Sequence, residues 1–222
     1  MKLFLVVVVI SVLLGYAFGG RLSRLERTTM RWWGLVLVGL AVQFVPLPEG
    51  TNGTDLAVRT LVLSISYVAL IAFAVLNVRV PGMVLVLIGL VCNFAVIAFN
   101  GGMPVSAAAL RDSGQADVLG LLQTEGAAKH HLLTEEDVLT PLADVIAVPP
   151  PIGQAISVGD AFVYAGLIWL VVAAMRGRTP SRAQMGPGSY RGRHRRGAGQ
   201  APDAPPDLGF LPAAATRSGT GP

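Results

Sequence analysis

The fold of this chain is decided by the stretch PGMVLVLIGLVCNFAVIAFNGGMP, which occupies residues 81–104. Residues 81–99 contain no acidic or basic side chain. At about 1.5 Å per helical residue they can cross a hydrocarbon core about 30 Å thick. Asn100 and Gly101 favour the left-handed conformation that ends a helix, and Pro104 prevents its continuation. The stretch therefore predicts a membrane-spanning helix that stops where a more polar segment begins.

Similar apolar blocks recur along the first 176 residues. Hydrophobic residues make up 53% of the chain and charged residues 14%, and the mean hydropathy is +0.61; these values are typical of a membrane protein. Because lipid cannot satisfy backbone polar groups, each span is expected to be helical. We predict an all-α membrane protein whose transmembrane domain (1–176) has five spans, at about residues 3–20, 32–47, 56–76, 81–99 and 158–175.

The orientation follows from the distribution of Lys and Arg. Arginines crowd the first connection and the tail, and Arg79 lies in the third connection, whereas the fourth connection, residues 100–157, has only Arg111 and Lys129 against seven acidic residues. Positive residues favour the cytoplasmic side. The N-terminus is therefore expected outside, the C-terminus in the cytoplasm and residues 100–157 on the extracytoplasmic face of the plasma membrane. A cleaved signal peptide at the first span would reverse this pattern and is disfavoured.

The tail, residues 177–222, is rich in Pro, Gly, Ala and Arg, so we predict a disordered cytoplasmic segment. Its RGRHRR run (191–196) would suit nucleic acid, but arginines beside a span usually fix topology and attract anionic headgroups. The predicted partner is the lipid bilayer, together with a membrane-protein partner or a lipid-linked ligand, and no nucleic acid. Cys92 is the only cysteine, so no intrachain disulfide can form.

Residues 100–157 are expected to fold, because a structureless connection of this length is uncommon. Short amphipathic helices on the outer face would fit its apolar groups. Thr134 is predicted to cap a helix with Asp137 at its third position, and Ser157 to cap the fifth span with Asp160. The prolines at 149–151 predict a stiff, extended return to that span.

The adjacent His130 and His131 would point about 100° apart on a helix, so they could not share a ligand there. His131 and Glu135, four residues apart, could begin a divalent metal site, but further ligands would have to come from folding. Ordinary hydrogen bonds are the default interpretation, and we expect no cofactor. Within the spans, Asn93 is expected to bond to a neighbouring helix.

No catalytic spacing is present, which favours a binding function at the outer face for a small ligand, lipid headgroup or partner protein. An enzyme acting on a lipid-linked or peptide substrate, with His130 or His131 as base or metal ligand, is the alternative; a transporter subunit is disfavoured because no acidic residue lies at mid-membrane. Helix capping alone would also explain Ser157 and Asp160. The predicted pocket residues are Asn100, Gly101, Gly102, His130, His131, Asp144 and Asp160.

Several stretches together suggest a family. They are GYAFGGRLSRLE (15–26), FNGGMPVS (99–106), HHLLTEED (130–137), DVIAVPPP (144–151) and SVGDAF (157–162). In this order they resemble a family of bacterial multi-pass membrane proteins known as domain of unknown function 5317. The resemblance covers roughly residues 2–176 and excludes the tail. The resemblance implies the membrane architecture. It implies no activity, because none is established for the family.

Overall fold

The computed structural model describes residues 2–45, 52–124 and 129–179. This part of the chain is mostly helical, with two short 3₁₀ helices at Leu22–Arg27 and Thr140–Leu142. The predicted tail beyond residue 179 lies outside the described residues. The helices are α1 (Lys2–Ala17), α2 (Gly34–Val42), α3 (Gly53–Leu76), α4 (Met83–Asn100), α5 (Ala107–Asp112), α6 (Ala116–Thr124) and α7 (Val158–Met175), and the strands are β1 (Met103–Val105), β2 (His130–Leu132), β3 (Ile146–Val148) and β4 (Gln154–Ile156).

Three of these helices, α3, α4 and α7, are long and apolar enough to cross a membrane. Their ends lie within three residues of the predicted spans. Helix α1 is apolar but has 16 residues. Within the described residues 32–45 of the second predicted span, the α-helix covers only the nine residues of α2, because Trp32 has a φ of 56° and the helix starts after it. The three long helices are compatible with a membrane location.

The helices pack in a chain of neighbours: α7 contacts α1 and α4, and α3 contacts α2 and α4. Glycines bring α4 and α7 into backbone contact. A Cβ at Gly89 would lie 2.3 Å from the Gly159 carbonyl oxygen, and a Cβ at Gly166 would lie 2.7 Å from the Gly82 carbonyl oxygen. Small residues commonly allow this close approach between membrane helices. The α4–α7 pair is therefore tightly fixed.

Contacts at the two ends show how the helices run. Gly15 packs on Met175, so the end of α1 lies beside the end of α7. Asn77, after α3, accepts from the Arg31 amide (2.8 Å) and donates to the Arg31 carbonyl (2.9 Å), which joins the end of α3 to the approach to α2. One end of the bundle therefore has these turns, and the other has the start of α7 and residues 100–157, hereafter the connecting segment.

The connecting segment contains α5, α6 and two two-stranded sheets. β1 and β2 are parallel, with Met103 opposite His130, and β3 and β4 are antiparallel. β1 also holds the backbone around Asp144, whose amide donates to the Pro104 carbonyl at 3.0 Å. Apolar side chains between these elements form a core of Val105, Ala109, Leu110, Leu122 and Ala155.

Two local predictions for this segment are wrong. Residues 134–137 form a turn and start no helix: the Asp137 carboxylate accepts from the Thr134 amide at 2.7 Å, and Leu139 takes a left-handed φ of 58° that interrupts any helix. The prolines form no strut, because the chain reverses in a turn over residues 150–152 that ends at Gly153 (φ 61°). β3 and β4 are the two arms of that hairpin.

Two other local predictions are confirmed. Gly101 ends α4 with a left-handed φ of 69°. Ser157 caps α7 in a reciprocal capping box: its hydroxyl accepts from the Asp160 amide at 2.9 Å, and the Asp160 carboxylate accepts from the Ser157 amide at 3.2 Å. These caps place the end of α4 and the start of α7 on the side of the bundle that carries the connecting segment.

Candidate functional site

Three titratable side chains, those of His130, Asp144 and Asp160, line two neighbouring cavities at once. The larger cavity, about 460 Å³, lies among α5, α6 and the β3–β4 hairpin. The smaller, about 150 Å³, extends toward side chains of α3 and α4. The three side chains therefore form the wall at which the cavities meet, hereafter the shared wall.

Each side chain of the shared wall is positioned by a different element. His130 begins β2 and is placed by pairing with Met103 of β1. Asp144 follows the 3₁₀ turn Thr140–Leu142, and its carbonyl accepts from the Ser106 amide at 3.0 Å. Asp160 lies in the first turn of α7. Strand pairing, a turn and a helix start thus bring together residues that lie up to 30 positions apart in the sequence.

Asp144 is buried, with 9% of its side chain exposed. Its Oδ2 lies 3.8 Å from His130 Nε2, which is too long for a hydrogen bond. Among the described residues, Oδ1 has no hydrogen-bond partner. Burial, followed by the nearby charge of Asp160, raises the pKa of Asp144 to about 8. The carboxyl group is therefore mostly protonated at neutral pH.

His130 keeps 47% of its side-chain surface because the imidazole faces the cavities. Burial of the ring among protein atoms nevertheless lowers the pKa of His130. The charge of Asp160 partly offsets this effect, and Lys129 and His131 add to it. The imidazole is thus neutral at pH 7, with one nitrogen able to donate and the other able to accept a hydrogen bond.

Asp160 is held by a network that links α4 to α7. Asn93, which is 4% exposed, donates from Nδ2 to Asp160 Oδ1 at 2.7 Å. Its Oδ1 accepts from the Ser157 hydroxyl at 2.9 Å. The expectation that Asn93 bonds to a neighbouring helix is confirmed. The network uses Asp160 both as a helix cap and as an acceptor from the middle of α4.

His131 faces away from the shared wall, since successive side chains of a strand alternate. Its Nε2 lies 2.8 Å from Asp137 Oδ1. Burial acts to raise the pKa of Asp137, but hydrogen bonds from His131 and from the Thr134 amide and hydroxyl hold it below its usual value. Glu135, the other residue of the suggested metal pair, is exposed in the adjacent turn. Within the described ranges, no three His, Cys, Asp or Glu side chains are grouped as metal ligands.

The other predicted pocket residues have local structural contacts. Asn100 clamps the connecting segment, accepting from the Val138 amide and donating to the Val138 carbonyl, both at 2.9 Å. A Cβ at Gly101 would meet Leu56, and one at Gly102 would lie 3.3 Å from His131 Nδ1. Neither cavity is lined by Asn100, Gly101, Gly102 or His131. The structure thus joins three of the seven predicted residues and places the other four outside this wall.

Sequence reasoning missed several residues that line the cavities. Lys2 and Gln154 line the larger cavity. Gln115 also lines it, and its Oε1 accepts from the Ala155 amide at 2.8 Å. At the smaller cavity, the Lys129 ammonium group donates to the Gln43 carbonyl. No sequence spacing could have identified these residues, because they come from segments that only folding brings together.

A model of a family of unknown function, DUF5317, matches residues 27–172. The chain belongs to this family. An uncharacterised protein of Thermotoga maritima is 36% identical over 128 residues, which are 56% of this chain and 71% of that protein. No solved structure gives a significant match. The DUF5317 match includes all three residues of the shared wall and Asn93, whereas Lys2 precedes it.

Proposed function

We propose that the protein is a multi-pass integral membrane protein that binds a small ligand in the connecting segment, on the extracytoplasmic face. Three helices have the length and composition of spans. The contacts of α1 with α7 and of α2 with α3 support two further crossings, which give the five predicted from the sequence. Helix α1 is about 24 Å long, so its crossing needs only local thinning of the bilayer. Helix α2 is about 14 Å long, so the second crossing also needs the residues that flank it.

The distribution of charge supports this orientation. The end of the bundle opposite the connecting segment carries the arginine-rich turns, and cytoplasmic ends are enriched in such residues. In this orientation the two cavities would lie at the outer surface of the membrane. The arginines at that end are Arg21, Arg24, Arg27, Arg31, Arg79, Arg176 and Arg178.

Cysteine labelling of intact cells tests the orientation. With Cys92 replaced by Ala, we expect a membrane-impermeant maleimide to label Gln123→Cys, which is exposed on α6, and not Glu26→Cys, which is exposed between α1 and α2. Labelling of both after the cells are opened is the control. Labelling of Glu26→Cys alone in intact cells would show the opposite orientation. Labelling of both would show that the two positions lie on the same side of the membrane.

One observation carries the binding proposal: the buried Asp144 carboxyl keeps an oxygen without a hydrogen-bond partner beside two cavities. An unpaired buried polar group costs about 1–3 kcal/mol. A ligand that satisfies it regains that free energy on binding. The volume of the larger cavity, about 460 Å³, falls in the range of about 300–1,000 Å³ found for small-molecule sites.

Three six-carbon probes test whether the larger cavity binds small molecules. We expect hexylamine, hexanol or hexanoate to raise the melting temperature of the full chain purified in a nonionic detergent. Val118→Trp, at an exposed residue of α6 that lines the cavity, should remove this stabilisation by filling the space. Val138→Trp is the matched control, because Val138 is exposed in the same segment and lines neither cavity. Equal response of all three proteins, or no response to any probe, would refute binding in this cavity.

The shared wall also supports a second candidate, an enzyme acting at the membrane surface. Asp144 keeps its proton near pH 7 and His130 is neutral there, which are the states required of a general acid and a general base. A molecule that is released unchanged after incubation with the protein would support binding alone. Conversion that is lost in both His130→Ala and Asp144→Asn would support the enzyme.

A further inference from the structure

The shared wall has an imbalance of charge that indicates the class of ligand. In the described part of the chain, neither Asp144 nor Asp160 forms an ion pair with a Lys or Arg. Lys129 is engaged with the Gln43 carbonyl on the side of the smaller cavity. Lys2 lines the larger cavity too, but in the same described part it forms no ion pair with either carboxyl group. Two carboxyl groups and an imidazole that is uncharged at pH 7 therefore face the same space.

A cation bound at this wall would interact favourably with both carboxyl groups. Asp144 retains its proton because it is buried and because Asp160 is close. A positive charge between them would favour the ionised form of Asp144 and supply a hydrogen-bond donor to its unpaired Oδ1. An anion would instead be repelled by Asp160. The wall is thus suited to a positively charged hydrogen-bond donor.

The geometry of the side chains favours an organic cation over a metal ion. Zinc requires about three or four protein ligands at about 2 Å. No group of three potential ligands with this arrangement occurs among residues 2–45, 52–124 and 129–179. An ammonium group needs no such convergence, since its N–H donors act at about 2.7–2.9 Å and in several directions.

The rest of the larger cavity is apolar on the side of α5 and α6. Leu110, Val118, Leu121 and Leu122 line it there, and Ile152 of the hairpin lines it as well. A ligand that filled the space would bury an apolar portion against these side chains, which is favourable at about 25 cal/mol per Å². A charged wall and an apolar wall in one cavity fit an amphipathic molecule.

Building on the proposed binding function, we propose that the larger cavity binds an amphipathic amine. Its ammonium group lies against Asp144 and Asp160, and its apolar part lies against the leucine side chains of α5 and α6. Free alkylamines and the amine-bearing headgroups of lipids share this chemistry. His130 accepts a hydrogen bond from the ammonium group through its unprotonated nitrogen.

The three hexyl probes distinguish this proposal, because they share a tail and differ in charge. At pH 7 we expect hexylamine to bind the full chain at least about tenfold more tightly than hexanol, and hexanoate to bind more weakly than hexanol. Asp144→Asn should weaken hexylamine binding about tenfold and leave hexanol binding unchanged. Asp112→Asn, at an exposed acidic residue of α5 that does not line the cavity, is the matched control and should bind all three as the wild type does.

Proton release gives an independent readout. Titration calorimetry in two buffers of different ionisation enthalpy should show up to one proton released per hexylamine bound at pH 7, since the ammonium group ionises Asp144. The Asp144→Asn variant should release none. The other titratable side chains around Asp144 are those of Asp160, His130, Lys129, Lys2, Tyr67 and Tyr164.

The outcomes separate this proposal from the binding function on which it rests. Hexanol or hexanoate binding as tightly as hexylamine, with Val118→Trp abolishing all of it, would overturn the amine proposal and keep small-ligand binding. Failure of every probe would overturn both. A dioleoylphosphatidylethanolamine nanodisc that competes with hexylamine, where a dioleoylphosphatidylglycerol nanodisc does not, would identify a lipid headgroup as the source; competition by neither would identify a free amine.

Discussion

The two adjacent histidines differ in the way each meets a carboxylate. His131 lies 2.8 Å from Asp137, whose other oxygen accepts from the Thr134 amide and hydroxyl. His130 lies 3.8 Å from Asp144, one oxygen of which has no partner in the described ranges. Both carboxylate oxygens of Asp137 have hydrogen-bond partners in the protein. Asp144, beside the cavities, has an oxygen without one among the described residues.

This difference shows how a strand can separate two roles within two residues. Side chains of β2 alternate between its faces, so one histidine reaches the surface turn and the other the shared wall. The hydrogen bonds of the His131–Asp137 pair stabilise the turn at residues 134–137. The His130–Asp144 pair can still accept a hydrogen bond from a ligand. The two cavities described above are lined by His130 and not by His131, because the segment is a strand in which the two histidines face opposite ways.

The largest effect is expected where the shared wall depends on the helix bundle. Asn93→Leu removes a donor to the Asp160 carboxylate and an acceptor for the Ser157 hydroxyl. We expect a loss of about 3 kcal/mol in the free energy of unfolding, because hydrogen bonds to charged groups contribute about 1.5–3 kcal/mol each. Unfolding in mixed detergent micelles measures it.

Cys92→Ala, at the neighbouring position of α4, is the control for this variant and should cost less than about 1 kcal/mol. If Asn93→Leu proved as stable as wild type, the capping box alone would hold Asp160. The shared wall would then be independent of α4.

A pH titration of stability separates the two pairs next. The folded pKa of Asp144 is about 8 against 3.8 for the free group, so the folded chain binds one more proton than the unfolded chain between these values. Stability from this group is complete below pH 3.8 and is lost as pH rises to about 8. Below 6.5, the opposite shift of His130 offsets the loss.

We therefore expect the free energy of unfolding to fall by about 2 kcal/mol between pH 6.5 and pH 8, at about 1.4 kcal/mol per pH unit. Above pH 8 it should level off. Melting temperatures measured across pH 5–9 check the shape of the curve. Asp144→Asn should abolish the fall, and Asp112→Asn should keep it. A fall of equal size in Asp144→Asn would assign the titration to another group.

The smallest effects compare the two histidine pairs directly. Asp137→Asn weakens the charge-assisted bonds to His131 and Thr134 and should cost about 1 kcal/mol. His130→Ala removes no hydrogen bond within the described chain and should change the free energy of unfolding by less than about 0.5 kcal/mol. Both are measured by denaturation at pH 7. Reversed magnitudes would make His130 the structural histidine.

Local signals predicted the ends of the helices well. Ser157 with Asp160, and Asn100 with Gly101, act through contacts within a few residues, so the sequence alone identifies them. The same reasoning failed at Thr134 and Asp137, where the residues of a cap are present and the chain then turns at Leu139. A cap pattern specifies hydrogen bonds, and the following residues decide whether a helix forms.

The site itself was only partly predictable. His130, Asp144 and Asp160 were candidates because they are polar residues near span ends. Their meeting depends on the pairing of β1 with β2, two strands of three residues each, which are too short for a periodic signal. The cavity residues Lys2 and Gln115 carry no local pattern at all, so only long-range packing reveals them.

The capping box that begins α7 has a consequence for the order in which the protein is made. Synthesis proceeds from the N-terminus, so Asn93 enters the bundle well before Ser157 and Asp160 leave the ribosome. Until then the amide of Asn93 lacks the two partners that α7 supplies, and an unpaired polar group in an apolar environment is costly. A nascent chain that ends before α7 would thus hold the Asn93 side chain in α4 without these two hydrogen bonds.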